Sequence, residues 1–390
     1  NRLISCNEVG GDPRQSGLSI AAFHNRNRER ARRWPHSMLA TATHDTKRGE
    51  DARVRIDVLS EIPGEWERGA CRWAAVNGRW KVDLEDRRAP SRNDEYLLYQ
   101  TLVGAWPMEL AEPPFEPRAL AAFTGRIQAY VVKAAREAKL ATSWANPRRE
   151  YEEALAQFVG RLLDPESGKL FLADFLPLQR RIARIGMLNS LVQLTLKLTC
   201  PGVPDVYQGT ELWDLNLVDP DNRRRPDFDA HRRLLAELSR LGALAGAQQA
   251  ERIAELARDW RDGRIKLHVL TSLLRLRRGH GSLLGGGDYR VLNAKGSMAD
   301  RIVAFARQAA EDCVVVAVGR HLAPFVPSAS GDAAQHSWEE TSLPLPPRLG
   351  EKVFDVLTGR ETRPVSGAIS VKELFSILPA AVLIGTRAGK

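Results

Sequence analysis

The chain has 390 residues, is 43% hydrophobic and 27% charged, and carries 57 Lys+Arg against 48 Asp+Glu for a net charge of +9. At roughly 100–200 residues per domain this length implies two or three globular units, and the apolar fraction excludes a disordered chain. No apolar run reaches the roughly 18–20 residues of a membrane span, so no membrane association is expected.

The basic balance raises the question of nucleic acid. Acidic residues interrupt the basic stretches, as in RNRERARR and TKRGEDARVRID. No Arg-rich helix carries the interleaved aromatics of a single-strand binder. A solvated Arg-rich surface is the reading, with no nucleic-acid partner. Cys6, Cys71, Cys200 and Cys313 are far apart and form no CxxC pair, which fits a reduced, cytoplasmic chain. The sequence begins at Asn1 with no charged-then-apolar leader. The expectation is therefore no signal peptide and a start downstream of the natural one.

In chain order, residues 1–18 are rich in Gly, Asn, Asp and Pro and read as a shaped loop. Ile20, Phe23, Ala31 and Trp34 predict a helix over Ser19–Arg33, stopped by Pro35. Met38–Thr43 is a short apolar run that reads as a strand buried on both faces. His44 and Asp45 follow at its carboxyl end, where parallel α/β folds place their chemistry. Residues 50–180 read as a helical insertion, with helices at Asp94–Ala105, Pro117–Lys139 and Pro147–Leu162 and five of the nine tryptophans. A strongly apolar helix over Arg181–Thr199 ends at Pro201-Gly202, and Val203–Tyr207 reads as a second buried strand. Helices at about Asp229–Leu244 and Gly263–Arg278 come next. After Gly285 the pattern turns to strands at Arg301–Arg307, Cys313–Gly319, Lys352–Gly359 and Ala381–Gly385, with a disordered-looking Ser328–His336 between them. The division expected is therefore 1–49, 50–180, 181–284 and a C-terminal β-sandwich at 285–390, with no internal repeat.

Several motifs fail on inspection. Gly279-His280-Gly281 opens like a dinucleotide loop, but Leu284 occupies the third glycine position and no strand precedes it. The histidines show no HExxH or similar spacing, so no metal site is expected, and no organic cofactor is implied. There is no GxxxxGK[ST] and no GxSxG. His44-Asp45 remains. A carboxylate beside an imidazole at a strand end offers directional hydrogen bonds to pyranose hydroxyls and stabilises an oxocarbenium-like transition state. On these residues alone an ordinary turn capped by Asp45 fits equally well.

The stretch HSMLATATHDTKRGED (His36–Asp51) resembles the fourth sequence region of the alpha-amylase-like glycoside hydrolases, and more narrowly the maltooligosyltrehalose synthase family. So do NEVGGDP (Asn7–Pro13), EYLLYQTLVGAWP (Glu95–Pro107), TSWANP with YEEAL (Thr142–Leu155) and PGVPDVYQGTELWDLNLVDPDNRR (Pro201–Arg224). DGRIK (Asp262–Lys266) and LTG (Leu357–Gly359) agree more loosely. The fold this resemblance implies is α/β plus β: the C-terminal part of a (β/α)8 TIM barrel with a large helical insertion, then a β-sandwich. The activity it implies is a retaining, intramolecular transglycosylation, the work of an isomerase of trehalose biosynthesis. The reducing-end α-1,4 bond of a maltooligosaccharide becomes an α,α-1,1 linkage while water is held off.

Carried over by position, Asp45 resembles the third catalytic carboxylate and His44 its hydroxyl-binding neighbour. Lys47 and Arg48 would line the reducing-end subsite, with a salt-bridged loop as the equal alternative. Tyr207, Gln208, Glu211 and Trp213 would shape the cleft, and Asp219, Asn222, Arg223 and Arg224 would order a long loop. The family's nucleophile and acid/base precede the HDT motif and are absent. Arg55-Ile56-Asp57-Val58 mimics the nucleophile motif but lies after Asp45, on an expected helix, and lacks the histidine. A further departure is Pro226, one position later than the family pattern. The chain therefore resembles a C-terminal portion that is inactive alone and partnered by the N-terminal portion of the same enzyme. Its opened barrel edge favours self-association. Two other readings stand beside this one: a different alpha-glucan transglycosidase or hydrolase of the superfamily, and a non-catalytic glucan-binding module.

Overall fold

The computed structural model describes residues 3–15, 17–240, 244, 246–328 and 337–385. The first long helix, α1 (Ile20–Arg33), starts where Ser19 Oγ accepts from Ala22 N, a side-chain cap that satisfies one orphan donor. It ends at Arg33, two residues before Pro35, as its sequence predicts. Strand β1 (Met38–Leu39) is followed by a six-helix region: α2 (Glu50–Asp57), α3 (Pro63–Asn77), α4 (Arg92–Ala105), α5 (Pro117–Ala138), α6 (Arg149–Leu163) and α7 (Lys169–Thr199). A two-residue hairpin, β2 (Val82–Asp83) with β3 (Arg88–Ala89), interrupts it between α3 and α4. These helices share a core rich in aromatic rings. Trp73 packs edge-on against Tyr99, Phe171 and Phe175, and Trp106 against Phe123. Edge-to-face pairing of this kind adds to the burial of each ring.

Helix α7 is continuous over 31 residues, so the division expected at 180/181 falls inside it. Its first half packs into the aromatic core through Phe171, Phe175 and Leu178, and its second half into a different core through Leu191, Leu194 and Leu198. One helix thus serves both units.

The strands expected over 38–43 and 203–207 are shorter and more open than the sequence suggests. Only Met38–Leu39 and β4 (Val203–Pro204) pair, in parallel. Met38 is 68% and Val203 45% exposed, so neither strand is buried on both faces. A doubly covered parallel strand needs neighbours on its edges, and among the described residues β1 and β4 have only each other. Gly202 makes their approach possible. At φ +128° it takes a backbone conformation that disfavours side chains, and a Cβ there would meet Leu39 Cγ at 2.7 Å.

Beyond β4 the chain forms α8 (Phe228–Ser239), α9 (Gly246–Arg258), α10 (Arg264–Gly279) and the short α11 (Gly281–Gly286). The single helix expected over Asp229–Leu244 ends at Ser239, and a second, unpredicted helix follows at 246. The Gly279–Leu284 stretch enters a helix and forms no phosphate loop.

The C-terminal region holds β5 (Asp288–Leu292), β6 (Ile302–Ala309), β7 (Asp312–Gly319), β8 (Ser342–Pro344), β9 (Val353–Asp355), β10 (Glu361–Thr362), β11 (Ala368–Ser370) and β12 (Ala380–Gly385). Six strands form one antiparallel sheet in the order β10-β9-β12-β7-β6-β5, and β8 pairs with β11 separately. Alternation along β6 and β7 decides what each face covers. Val303, Phe305, Val314, Val316 and Val318 join α7 and α10 in one core, whereas Ile302, Ala304, Val315 and Ala317 pack with Leu343 and Ile369 of the small sheet. The expected sandwich is therefore lopsided: a two-stranded ribbon covers one face of the large sheet and helices cover the other. Most of the disordered-looking Ser328–His336 stretch lies outside the described residues.

Candidate active site

The loop after β1 is locked by its own side chains. Thr46 Oγ1 donates to Thr43 O at 2.9 Å and accepts from Thr43 N at 3.3 Å, while Asp45 N donates to Thr43 Oγ1 at 3.3 Å. These side-chain-to-backbone bonds make a tight turn that projects the two residues between the threonines. His44 Nε2 lies 3.2 Å from Asp45 Oδ2, with side chains 62% and 60% exposed. Arg223 Nη2 approaches the other carboxylate oxygen at 4.0 Å and is itself held by Asp219, 2.7 Å from its Nε.

The turn is clamped from the β4 side. Asn222 Nδ2 donates to His44 O at 2.9 Å, and Tyr207 OH donates to Asn222 O at 3.3 Å. The loop carrying Asn222 is fixed to α5, because Arg126 pairs with Asp221 at 3.0 Å and Lys133 donates to Asp219 O. On the amino-terminal side Glu8 accepts from Lys47 N at 2.7 Å and pairs with Arg53 at 3.3 Å.

The site residues expected from sequence separate into two groups. His44, Asp45, Lys47 and Tyr207 gather at this turn, with Lys47 Nζ 3.5 Å from Glu137 of α5. Gln208 is exposed on the turn after Tyr207. The remaining three have other partners. Arg48 is only 4% exposed and donates to Ile4 O at 3.0 Å and to Tyr130 OH at 2.9 Å. It ties the chain's early loop to α5 and has no open face to line a subsite. Glu211 faces His231, 3.7 Å away. Trp213 Nε1 donates to Trp260 O at 2.7 Å, and its ring lines a cavity of about 310 Å³ that neither His44 nor Asp45 borders.

Directly behind the turn lies a buried ionic network. Lys266 of α10 donates to Glu50 Oε1 at 2.8 Å, Asp51 Oδ2 at 2.7 Å and Leu212 O at 3.0 Å. Lys197 of α7 reaches Glu50 Oε2 at 3.2 Å and Thr41 Oγ1 at 2.7 Å. Asp51 Oδ2 accepts from Asp214 N at 2.6 Å, and Asp214 Oδ2 accepts from Glu50 N at 3.3 Å. Burial alone would raise the Glu50 pKa, but the two lysines outweigh it and hold the group at about 2. Asp214, buried beside Asp51, is pushed up to about 6. The network joins four separate segments under the His44–Asp45 turn. Its sequence signals were weak but present: Glu50 and Asp51 close the HDTKRGED stretch, Lys266 ends DGRIK, and Lys197 stands alone in the apolar QLTLKLT.

Asp57 of the rejected Arg55–Val58 motif lies exposed at the end of α2, on the border of an open cleft. Arg55 is buried in the helical core and donates to Trp106 O at 2.7 Å. Among the described residues no cluster of His, Cys, Asp and Glu could hold a metal ion, and no helix is long and apolar enough to cross a membrane.

Comparison with known proteins is consistent along nearly the whole chain. No family model matches. Proteins of two strains of Mycobacterium tuberculosis, each named "Putative maltooligosyl trehalose synthase", are 37% identical over 383 residues, which is 98% of this chain and 42% of theirs. The structure of maltooligosyltrehalose synthase from Arthrobacter ramosus superposes with a TM-score of 0.76 at 34% identity, covering 98% of this chain and 43% of that one. A Sulfolobus tokodaii structure described as a hypothetical maltooligosyl trehalose synthase gives 0.72 at 29% identity over the same share of each chain. The chain is similar to maltooligosyltrehalose synthases over nearly its whole length. It spans less than half the length of the relatives it matches.

Proposed function

We propose that this chain is the C-terminal portion of a maltooligosyltrehalose synthase, and that it supplies the assisting carboxylate and part of the reducing-end cleft. The observation that carries the reading is the His44–Asp45 pair. It is exposed at the carboxyl end of a parallel strand, on a turn fixed by Thr43, Thr46 and Asn222. Groups aimed at a substrate need this preorganisation, because hydrogen bonds already in place cost no rearrangement as charge develops.

In the proposed reaction Asp45 accepts hydrogen bonds from ring hydroxyls and stabilises positive charge spreading over the ring oxygen and anomeric carbon. His44 donates to a neighbouring hydroxyl. Lys47, half exposed beside Glu137, borders the subsite of the released glucose. A retaining mechanism also needs a nucleophile and an acid/base about 5 Å apart. Those two come from the upstream portion of the enzyme, so this chain alone is inactive.

Two features support an upstream partner. Apolar Met38 and Val203 are exposed on the β1–β4 ladder, and a cleft of about 600 Å³ opens beside them, bordered by Phe23, Leu39, Leu196 and Cys200. Barrel strands packed there would complete the sheet and cover the apolar surface. The activity is tested by joining the chain to its upstream sequence and following reducing ends and free glucose from maltopentaose. A maltooligosaccharide substrate, no nucleic-acid partner and a cytoplasmic setting belong to the same reading.

A further inference from the structure

Trp144 is 57% exposed, yet the loop that carries it is tightly built. Ser143 N donates to Asn146 O at 3.2 Å and Asn146 N donates to Ser143 Oγ at 3.0 Å. Thr142 Oγ1 donates to Glu152 Oε1 at 2.6 Å and accepts from Arg148 N at 2.9 Å. Glu152 also takes a two-point contact from Arg136, through Nε at 2.8 Å and Nη2 at 2.6 Å. Such a fork fixes the plane of the guanidinium as well as its position. That guanidinium lies over the Trp144 indole, its Cζ 4.8 Å from the ring centroid. A fixed cation therefore covers one face of the ring and sets its orientation, and solvent meets the other.

The end of α5 links this loop to the segment that carries Asp45. Glu137 follows Arg136 on the last turn of α5 and lies 3.5 Å from the Lys47 ammonium, two residues beyond Asp45. Arg136, which covers the indole, and Glu137, which meets Lys47, are consecutive on α5, and Lys47 and Glu137 are each about two-fifths exposed. A pyranose has apolar C–H faces and a rim of hydroxyls, so it requires a flat aromatic surface with charged hydrogen-bonding groups at its edge. We propose that Trp144 is a sugar platform: its open face stacks on a glucose residue of an α-1,4-glucan whose rim hydroxyls meet Lys47 and Glu137. The ligand class rests on the proposed function; the platform itself rests on the geometry. Because the ring is already immobilised, binding freezes little further freedom.

The rival occupant is another stretch of polypeptide, and Leu140, 77% exposed on the same loop, favours it. Against that, an apolar protein surface laid over Trp144 would also desolvate the charges around it, at a cost that imperfect pairing does not recover.

The test uses the chain joined to its native upstream sequence, as wild type, Trp144→Ala and Trp144→Phe, with maltopentaose as the probe. Turnover is followed by reducing ends, equilibrium binding by calorimetry, and folding by the thermal midpoint. The platform predicts that Trp144→Ala raises KM and Kd about tenfold, the size of one lost aromatic stacking contact, with kcat within about threefold. Trp144→Phe should restore most of the loss, and the thermal midpoints should coincide. Unchanged KM and Kd in Trp144→Ala overturns the proposal, as does a lowered midpoint with binding intact, which would assign Trp144 to packing. If the wild type binds maltopentaose but does not isomerise it, the functional reading fails and the Kd ratio still decides the platform. If it does not bind, both fail.

Discussion

Removal of the Lys266 ammonium is the most informative single change to the network beneath the His44–Asp45 turn. Lys266 has no exposed surface, and Glu50 and Asp51 have almost none. Its three contacts, at 2.7, 2.8 and 3.0 Å, join α10 to α2 and to the loop at Leu212. Lys266→Met keeps most of the volume and deletes the charge. Glu50 retains Lys197 at 3.2 Å, but Asp51 keeps only the backbone N–H of Asp214 and faces a second buried carboxylate. Breaking one partner of a buried pair costs about 3–5 kcal/mol, which corresponds to a drop in thermal midpoint on the order of 10 °C.

The pH dependence gives the sign. Glu50 is held at about 2 against 4.5 in the unfolded chain, so its contribution is complete above the unfolded value and lost as pH falls toward the folded one. In Lys266→Met much of that depression disappears. The gap between wild type and variant, measured by calorimetry, should therefore be widest near neutral pH and narrow as pH falls below about 5. A midpoint within about 2 °C of wild type at neutral pH would refute the reasoning, since it would mean that the buried pair carries little. A gap that widens in acid would refute it as well.

Asp214 has the opposite sign. Burial, with Asp51 nearby, lifts it to about 6 from 3.8, so stability falls as pH rises through that interval; Asp214→Asn should flatten this part of the profile of midpoint against pH. Gly49→Ala would place a Cβ 2.5 Å from Asp214 Cγ and 2.6 Å from its carbonyl oxygen, and the overpacking should cost about 1–3 kcal/mol in a urea titration. Arg48→Ala should lower the thermal midpoint by losing the bonds to Ile4 O and Tyr130 OH, while leaving KM for maltopentaose in the joined protein within about twofold. A selective rise in KM would instead return Arg48 to the cleft.

The helices and the long strands were legible because their signals are local. Ser19 caps α1, Pro35 stops it, and the apolar alternation of β6 and β7 marks two covered faces. The short strands were misjudged for a physical reason: an apolar run such as Met38–Thr43 implies burial, but burial depends on neighbouring strands that these residues do not supply. The ionic network was hidden by the opposite effect. Glu50, Asp51, Asp214 and Lys266 look like solvated charges in sequence, and only the meeting of four segments takes them out of water. Lys197 was the exception, a lone ammonium in an apolar helix that needed a partner. At the site, the HDT turn was readable as a contiguous motif. The different fates of Lys47 and Arg48, adjacent in sequence, were not, because the packing of α5 decides which of the two points inward.

The most direct test of the central claim joins this chain to its native upstream sequence and supplies maltopentaose, following reducing ends and free glucose together, with Asp45→Asn alongside. Reducing ends should disappear with little glucose released, Asp45→Asn should abolish the loss, and this chain alone should do nothing. Glucose release, or new chain lengths without loss of reducing ends, would contradict it and leave hydrolysis or disproportionation in its place.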